Sequence, residues 1–292
     1  MTSSVVPRPG EAWVADDGGE TATARGQKSG LVLAELPGNP GKLQLILDLS
    51  RQVDAATRPV RILDVGIGGR YRPFTLWEPF SRMHVRLDLV GIDVAHLDQT
   101  RARAAELGFP VRLIRVGAND IVETFGAEAF DAVVSTQVLE HLPQWRDAVA
   151  QMAEVLRPGG TLYMTCDSGD RAIPLRTRVR LAAKRSYARG HARMPMVDRL
   201  GNRFLSGDWE EGPRLEQVRA VLDKTGLSLE VLRHFGLRDA KTMQNRLDAT
   251  GRLRWLDFEL EIQPGDPSLF LLLYLRAKRS LSRTDEPAWQ SR

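Results

Sequence analysis

Polar and glycine residues follow several predicted strands, each at the point where the strand ends. Because the carboxyl ends of adjacent parallel strands meet at one edge of a sheet, these residues should converge there. A carboxylate only accepts hydrogen bonds and has two oxygens, so Asp93 suits the two hydroxyls of a ribose, and Asp120 could accept from an exocyclic amine. The converging residues are Asp64, Gly66 and Gly68 after the first strand, Asp93 after the second, Asn119 and Asp120 after the third, and Ser135 to Gln137 after the fourth.

The first of these strand ends is a glycine turn. Val60 to Val65 is a short, mostly apolar run that stops at Gly66, which is typical of a buried parallel strand entering a tight turn. Glycine lacks a Cβ, so a ligand can lie against the main chain at Gly66 and Gly68. A dinucleotide site is the competing interpretation, but its G-x-G-x-x-G pattern needs a third glycine where this chain has Tyr71. The dinucleotide pattern is therefore incomplete.

Strands and helices alternate along the chain and would position these residues. A helix begins near Pro40, and apolar residues recur at helical spacing as far as Val53. Alternation of this kind predicts βαβ units and a parallel sheet with right-handed crossovers. The later predicted strands cover Leu87 to Val94, Val111 to Val116, Phe130 to Ser135, Thr161 to Cys166, Leu227 to His234 and Ser268 to Ala277. The later predicted helices cover Ala95 to Leu107, Trp145 to Leu156 and Leu215 to Lys224.

The length and composition indicate a soluble globular protein. Its 292 residues suffice for one large domain with additions, and the 27% charged and 42% hydrophobic shares are ordinary. The formal charge of +4 permits an acidic partner without requiring one. A single cysteine, Cys166, excludes an internal disulfide. The apolar run from Leu269 to Leu275 is far shorter than the roughly 20 residues that span a bilayer, so we expect a cytoplasmic protein.

The chain divides into a central domain and two tails. Residues 1–30 and 280–292 are rich in small and charged residues without a period, which predicts disorder. The domain is predicted over residues 31–279. Within it the alternation of strands and helices breaks over 168–212, directly after the fifth strand, and we interpret this segment as an insertion that covers the substrate.

Five motifs follow one another along the chain. They are Leu63-Asp64-Val65-Gly66-Ile67-Gly68, Gly91-Ile92-Asp93, Phe130-Asp131-Ala132-Val133-Val134, Val138-Leu139-Glu140-His141-Leu142 and Val155-Leu156-Arg157-Pro158-Gly159-Gly160. In these motifs and their order the chain resembles the class I S-adenosylmethionine-dependent methyltransferases, in particular the small-molecule group typified by ubiquinone and menaquinone biosynthesis. The resemblance covers most of 38–278 and implies a Rossmann-like α/β fold, a seven-stranded and mostly parallel sheet with helices on both faces.

The resemblance also implies roles for the strand-end residues toward S-adenosylmethionine. Gly66 and Gly68 would pass under the methionine portion with Asp64 beside its amino group, and Asp93 would bind the ribose hydroxyls. Asp120, or Asn119 beside it, would meet the adenine amine, and Ser135 to Gln137 would flank the methionine part. The family usually has glycine where this chain has Arg70. This departure keeps open a methyltransferase-like protein without catalysis that serves as a partner.

Methyl transfer from a sulfonium requires no nucleophile from the protein, because the leaving group is already activated. The protein's main task is to align the acceptor, the methyl group and the sulfur while excluding water. A general base is needed only if the acceptor must lose a proton, as a hydroxyl would. His141 and Asp167 are the candidate catalytic residues. The five histidines and one cysteine show no metal-ligand spacing, so no metal is predicted.

Arginines and lysines without an intervening acid run through the predicted insertion, from Arg171 to Arg193. Three interpretations compete: a solvated helix face, a clamp for an anionic substrate, and a nucleic-acid contact. Tyr187 is the one aromatic residue there and no nucleic-acid module accompanies the run, which disfavours nucleic acid. We expect methyl transfer to a small molecule, an anionic or glycosylated metabolite, and the alternative is an RNA or lipid-head-group methyltransferase. Oligomeric state is left open by the sequence.

Overall fold

The computed structural model describes residues 39–68, 75–82, 86–170, 212–237, 240, 246–263 and 265–281. Its helices are α1 (Pro40–Asp54), α2 (Leu97–Leu107), α3 (Ile121–Phe125), α4 (Trp145–Val155), α5 (Leu215–Lys224) and α6 (Ala249–Glu261). Its strands are β1 (Val60–Val65), β2 (Leu87–Ile92), β3 (Arg112–Ile114), β4 (Phe130–Thr136), β5 (Leu156–Asp167), β6 (Leu227–Leu237) and β7 (Phe270–Arg279). Short 3₁₀ helices lie at Phe80–Arg82, Leu139–His141 and Pro267–Leu269.

The strands form one seven-stranded sheet in the order β3-β2-β1-β4-β5-β7-β6. Strands β1 to β5 pair in parallel, whereas β7 is antiparallel to both β5 and β6. The predicted seven-stranded, mostly parallel sheet is therefore confirmed. The strand order reverses between β1 and β4, and a ligand crevice is expected outside the carboxyl ends of parallel strands at such a point.

Helices cover both faces of the sheet, as predicted. One apolar core packs side chains of α3, α4 and α5, such as Ile121, Trp145 and Val218, on the sheet. The other packs side chains of α1, α2 and α6, such as Leu43 and Leu256, on the opposite face. Strands buried on both sides are apolar over most of their length, which is why β1 and β4 are mostly hydrophobic in sequence.

Several predicted boundaries shift for identifiable reasons. The prediction is confirmed for β1 and α5, but β3 is shorter than Val111 to Val116. Helix α2 begins at Leu97 rather than Ala95, because the Asp93 carboxylate binds the backbone of the turn before it. Strand β5 begins at Leu156, ahead of the predicted glycine turn, and its register with β4 shifts between Phe130 and Ala132.

The predicted tail 1–30 and most of the predicted insertion and second tail lie outside the described residues. Of the insertion, residues 168–170 and 212 are described, and of the second tail, residues 280 and 281. Among the helices that the structure does describe, none has the length and apolar character needed to span a bilayer.

A buried carboxylate fastens α1 to the sheet. Asp48 accepts a hydrogen bond from Tyr274 Oη at 2.6 Å and lies 3.3 Å from the Arg276 guanidinium, both on β7. Gln44 Nε2 and Arg51 also donate to it, at 3.0 and 3.1 Å. These bonds fix the position of α1, whose first turn reaches the carboxyl ends of the strands.

The Tyr274→Phe variant should therefore lose stability while keeping its shape. Removing the hydroxyl deletes a bond to a buried charged group, which typically contributes roughly 1.5–3 kcal/mol. Tyr163→Phe is the matched control, because Tyr163 Oη donates at 2.7 Å to the neutral amide oxygen of Gln52, a bond worth about 1 kcal/mol. Urea unfolding of both variants measures the difference, and equal losses would show that the Asp48 charge adds nothing.

Candidate functional site

Strands β1, β4 and β5 end side by side at the predicted crevice. Val65 pairs with Ser135, and Thr136 pairs with Thr165. The first turn of α1 lies over this edge, since a Cβ on Gly41 would come within 3.4 Å of the Thr165 side chain. The structure thus assembles residues from four elements that are distant in sequence.

Asp64 lies at the end of β1 and is almost fully buried. Its Oδ2 accepts a hydrogen bond from Trp77 Nε1 at 2.6 Å, whereas its Oδ1 is buried without a hydrogen-bond partner. Burial raises the pKa of Asp64 to about 7, against the opposing effects of Trp77 and of the Lys42 ammonium. Burial also lowers the pKa of Lys42, which Asp64 and Glu140 partly restore. A cation and two carboxylates therefore share one weakly hydrated region.

The glycine turn is required by the packing of the protein itself. Gly66 has φ of +80°, and a Cβ there would lie 2.3 Å from Val138 Cγ2. A Cβ on Gly68 would lie 2.4 Å from Asp93 Oδ2. Close approach of the chain to itself thus explains both glycines, and passage under a ligand stays a prediction. Arg70, the departure from the family pattern, lies outside the described residues.

Asp93 caps the turn after β2. Its Oδ1 accepts from the backbone N–H of Ala95 at 2.6 Å and of His96 at 3.2 Å, and its Oδ2 accepts from Gly68 N–H at 3.1 Å. A carboxylate offers about four lone-pair positions, and three are already used. The Asp93 carboxylate thus stabilises the turn, and its contact with a ribose stays a prediction.

Asn119 and Asp120 lie beyond β3, at the far side of β2, and both are exposed. The Asn119 amide donates to Gln144 Oε1 at 3.3 Å, and the Asp120 side chain makes no capping bond to α3. These two residues stand apart from the buried group around Asp64. Their predicted contact with an adenine is not tested by this geometry.

Gln137 connects the remaining strand ends. Its backbone adopts φ of +58°, which residues other than glycine rarely do. Its Oε1 accepts from Asn39 Nδ2 at 3.1 Å, and its Nε2 donates to Glu140 Oε1 at 2.8 Å and to Asp167 Oδ1 at 3.4 Å. Ser135, two residues earlier, is buried with its hydroxyl unpartnered. Ser135 is therefore buried and Gln137 partly buried at the edge of the sheet where the crevice is expected.

The two catalytic candidates occupy different environments. Asp167 is half-buried at the end of β5 and belongs to the group around Gln137. The His141 side chain is exposed at the end of the 3₁₀ turn after β4. Sequence reasoning gave no role to Asn39 or Lys42, because they precede every motif. An Asn-Pro pair at a helix start signals a cap, and Asn39 does cap α1 through Gly41 and Lys42 N–H.

The segments on either side of 171–211, Asp167–Asp170 and Gly212–Leu215, contact each other, and together we call them the neck. Each contains one of the two glycines at the contact, Gly169 and Gly212. Gly169 N–H donates to Pro213 O at 3.0 Å, and Asp170 Oδ2 accepts from Leu215 N–H at 2.8 Å. A Cβ on Gly212 would lie 1.8 Å from the carbonyl oxygen of Asp167. The two stems of 171–211 therefore meet directly beside Asp167.

Asp131, a motif residue, lies at the amino end of β4, opposite the strand ends that hold Asp64 and Gln137. It accepts hydrogen bonds from Arg58, from Arg157 and from the backbone N–H of Arg61. Burial alone would raise the pKa of Asp131, but these donors lower it to about 2. The residue borders a cavity of about 400 Å³ that lies at the amino ends of β1 and β4, away from the crevice. Its role is to join strands.

Comparisons with known proteins agree with this geometry. Residues 63–164 match the family described as a methyltransferase domain. The chain is 29% identical over 127 residues to the ubiquinone biosynthesis O-methyltransferase of Nitrosococcus oceani, which covers 44% of this chain and 50% of that protein. The chain spans about half the length of the curated relatives it matches.

Solved structures show the same fold at low sequence identity. The [4+2]-cyclase SpnF has a TM-score of 0.51 and 17% identity, with 82% of each chain covered. Phosphoethanolamine N-methyltransferase 2 of Haemonchus contortus, solved with S-adenosyl-L-methionine, has a TM-score of 0.51 and 16% identity, with 81% of this chain and 52% of that chain covered. Because one fold carries a cyclase and a methyltransferase, the fold alone does not fix the reaction.

The residues of the crevice fit S-adenosylmethionine at its amino-acid end. That end carries an ammonium and a carboxylate, and the crevice offers the buried, unpartnered Asp64 Oδ1 and the Lys42 ammonium. The matched residues 63–164 run from β1 into β5 and so include the strand ends around Asp64 and Gln137. Over residues 63–164 the chain is therefore similar to a methyltransferase domain, and its fold is that of a methyltransferase solved with S-adenosyl-L-methionine.

Proposed function

We propose that this protein transfers the methyl group of S-adenosylmethionine to a hydroxyl group of a small phenolic acceptor. The observation that carries the proposal is the Asp64 carboxylate, buried at the end of β1 with one oxygen left without a donor. A buried acceptor without a partner is costly and is expected where a ligand supplies the missing donor. The cofactor ammonium is such a donor.

The cofactor contacts extend from this point. Lys42 would bind the carboxylate of the amino-acid end, opposite Asp64, and Gln137 and Ser135 would flank the methionine part. Gly66 and Gly68 would lie under it, Asp93 would use its remaining lone pair for a ribose hydroxyl, and Asn119 or Asp120 would meet the adenine. His141 and Asp167 stay candidates on the acceptor side.

The class of acceptor rests on the relatives. The matched curated proteins are O-methyltransferases of ubiquinone biosynthesis, which supports a phenolic hydroxyl. The expected anionic or glycosylated character of the acceptor depends on the basic run 171–193, which lies outside the described residues. The second candidate, an RNA or a lipid head group as the acceptor, depends on the same basic run. A cytoplasmic location stays a prediction.

The tasks of the chain follow from in-line displacement. When bound, S-adenosylmethionine supplies an activated methyl group on a sulfonium with a good leaving group. Asp64 and Lys42 would anchor its amino-acid end, and the buried crevice would exclude water from the reacting atoms.

Calorimetric titration of S-adenosylmethionine and S-adenosylhomocysteine into the wild-type protein tests the proposal. We expect micromolar binding of both. Absence of binding by the folded protein would contradict it and favour a partner protein without catalysis. Asp93→Ala alone is a poor test of the ribose contact, because the substitution also removes three capping bonds. Its unfolding midpoint must therefore be measured alongside.

Lys42→Met should weaken binding in a way that depends on the ligand. We expect S-adenosylhomocysteine, which has the α-carboxylate, to lose about tenfold or more in affinity, in line with roughly 1.5–3 kcal/mol for a charged hydrogen bond. Methylthioadenosine lacks the amino-acid end and should bind both proteins equally. Equal weakening of the two ligands in calorimetry would instead indicate a disturbed fold and contradict the assignment of Lys42.

A further inference from the structure

Three side chains at the ends of β4 and β5 form a hydrogen-bonded network, and the proposed cofactor contacts use only one of them, Gln137. Gln137 donates to Glu140 at 2.8 Å and to Asp167 at 3.4 Å, and its own oxygen is held by Asn39. The left-handed backbone of Gln137 is unfavourable for this residue type and persists only when its surroundings enforce it. The network therefore holds the Glu140 carboxylate in one orientation.

The two carboxylate oxygens of Glu140 differ in their hydrogen bonding. It is 3% exposed, its Oε1 accepts from Gln137, and its Oε2 is buried without a hydrogen-bond partner. Burying an acceptor without a donor is unfavourable by itself. The exposed His141 next to it has no such enclosed position. An acceptor fixed on one side and free on the other is the arrangement that a proton-accepting group requires.

We propose that Glu140 accepts the proton of the acceptor hydroxyl during methyl transfer, an inference that rests on the proposed function. The acceptor O–H bond breaks and its proton passes to Glu140 Oε2. The acceptor oxygen forms a bond to the methyl carbon while the S–CH₃ bond breaks and its electron pair stays on sulfur. The products are the methyl ether and S-adenosylhomocysteine, and the proton then leaves Glu140 for solvent.

The charges around Glu140 suit this task. Burial raises its pKa to about 7 and the Asp167 charge adds to the rise, whereas hydrogen bonding from the backbone of Glu140 and Asp167 and from the Gln137 side chain opposes it. Lys42 faces it from α1, and the Cys166 thiol beside it stays neutral because burial raises the pKa of that group. A general base works best when its pKa is near the operating pH. Because the base must be ionised, turnover should rise as the pH increases through about 7.

Two phenols of different acidity test the role of Glu140. Catechol needs a base, whereas nitrocatechol ionises by itself at a pH where Glu140 is charged. With Glu140→Gln, which keeps the bond from Gln137, we expect kcat to fall about 100-fold for catechol and less than about threefold for nitrocatechol. Glu154→Gln, an exposed glutamate on α4, is the matched control and should match wild type with both phenols. Equal losses of kcat for both phenols in Glu140→Gln would overturn the proposal. So would a selective loss with catechol that appears in Asp167→Asn and not in Glu140→Gln.

Infrared titration of the protein loaded with S-adenosylhomocysteine gives a measurement that does not need turnover. With the ligand ammonium holding Asp64 ionised, Glu140 should be the buried carboxyl that ionises with a midpoint near 7, and this signal should vanish in Glu140→Gln. Absence of the signal would overturn the role of Glu140 and leave the proposed function intact. Wild-type protein that binds S-adenosylhomocysteine but methylates neither phenol would overturn both.

Discussion

An alanine at position 212 should open the neck and reduce both stability and turnover. A Cβ on Gly212 would lie 1.8 Å from the Asp167 carbonyl oxygen and 2.5 Å from its carbon, so backbone must move. The Gly169 to Pro213 hydrogen bond joins the same two stems and should be lost with it. We expect Gly212→Ala to lower the free energy of unfolding by about 3 kcal/mol or more, at the upper end of single substitutions.

The loss of activity should exceed the loss of cofactor binding. Asp167 moves with the neck, and it belongs to the network of Gln137 and Glu140. The Asp64 and Gly66 turn lies on β1, on the other side of β4, so affinity for S-adenosylhomocysteine should change little. Urea unfolding, calorimetry and turnover of a phenol measure the three quantities on one variant.

Gly265→Ala is the matched control for this effect. An added Cβ at Gly265 meets nothing within 4 Å, so the variant carries the same chemical change without a collision. Gly169→Ala should behave like Gly212→Ala, because its Cβ would lie 2.2 Å from the Gly212 carbonyl oxygen. A Gly212→Ala protein as stable as Gly265→Ala would show that the neck yields without strain.

The neck also bears on the predicted insertion. Its two stems, which the sequence places at opposite ends of 168–212, are joined by Gly169 and Pro213. Residues 171–211 therefore leave and re-enter the domain beside Asp167. That the segment covers the acceptor stays a prediction, and exchanging it for that of a relative with a different acceptor should change acceptor preference.

The sheet was predictable because its signals are local and repeated. Strand β1 is an apolar run that stops at a glycine, and α2 ends at Gly108, which adopts φ of +64° as a C-terminal glycine should. Strand β5 was placed too short, because Pro158 and two glycines read as a turn. In the structure these residues belong to the first part of β5, where the pairing with β4 shifts register between Phe130 and Ala132.

The chemistry of the site was only partly predictable. Asp64 and Gln137 lie in the buried crevice because strand ends converge, which topology alone dictates. Lys42 joins them through the tertiary packing of α1, and no local pattern encodes that. The sequence gives Glu140 no catalytic role, because its enclosure depends on the positions of Gln137 and Asp167 in the folded protein. A motif identifies a residue type, and its burial and partners decide what the residue can do.

Gly66→Ala should have the largest effect at the cofactor side. Left-handed backbone is unfavourable for alanine by roughly 1–2 kcal/mol, and overpacking typically adds about 1–3 kcal/mol. At Gly66 both terms apply, because φ is +80° and the Cβ would lie 2.3 Å from Val138 Cγ2. We expect unfolding free energy to fall by about 3 kcal/mol and S-adenosylhomocysteine binding to be lost in calorimetry.

Two further variants separate these terms. Gly108→Ala has φ of +64° and no neighbour within 4 Å of its Cβ, so it should show the backbone term alone. Adding Val138→Ala to Gly66→Ala removes Cγ2 and should recover the overpacking term. The double variant should therefore lose less stability than the sum of the two single variants, by about 1 kcal/mol or more. Recovery of stability without recovery of binding would mean that the Gly66 backbone itself, through its conformation, forms the surface on which the cofactor lies. Failure of Val138→Ala to recover any stability would place the whole effect in the backbone and contradict the packing account of this turn.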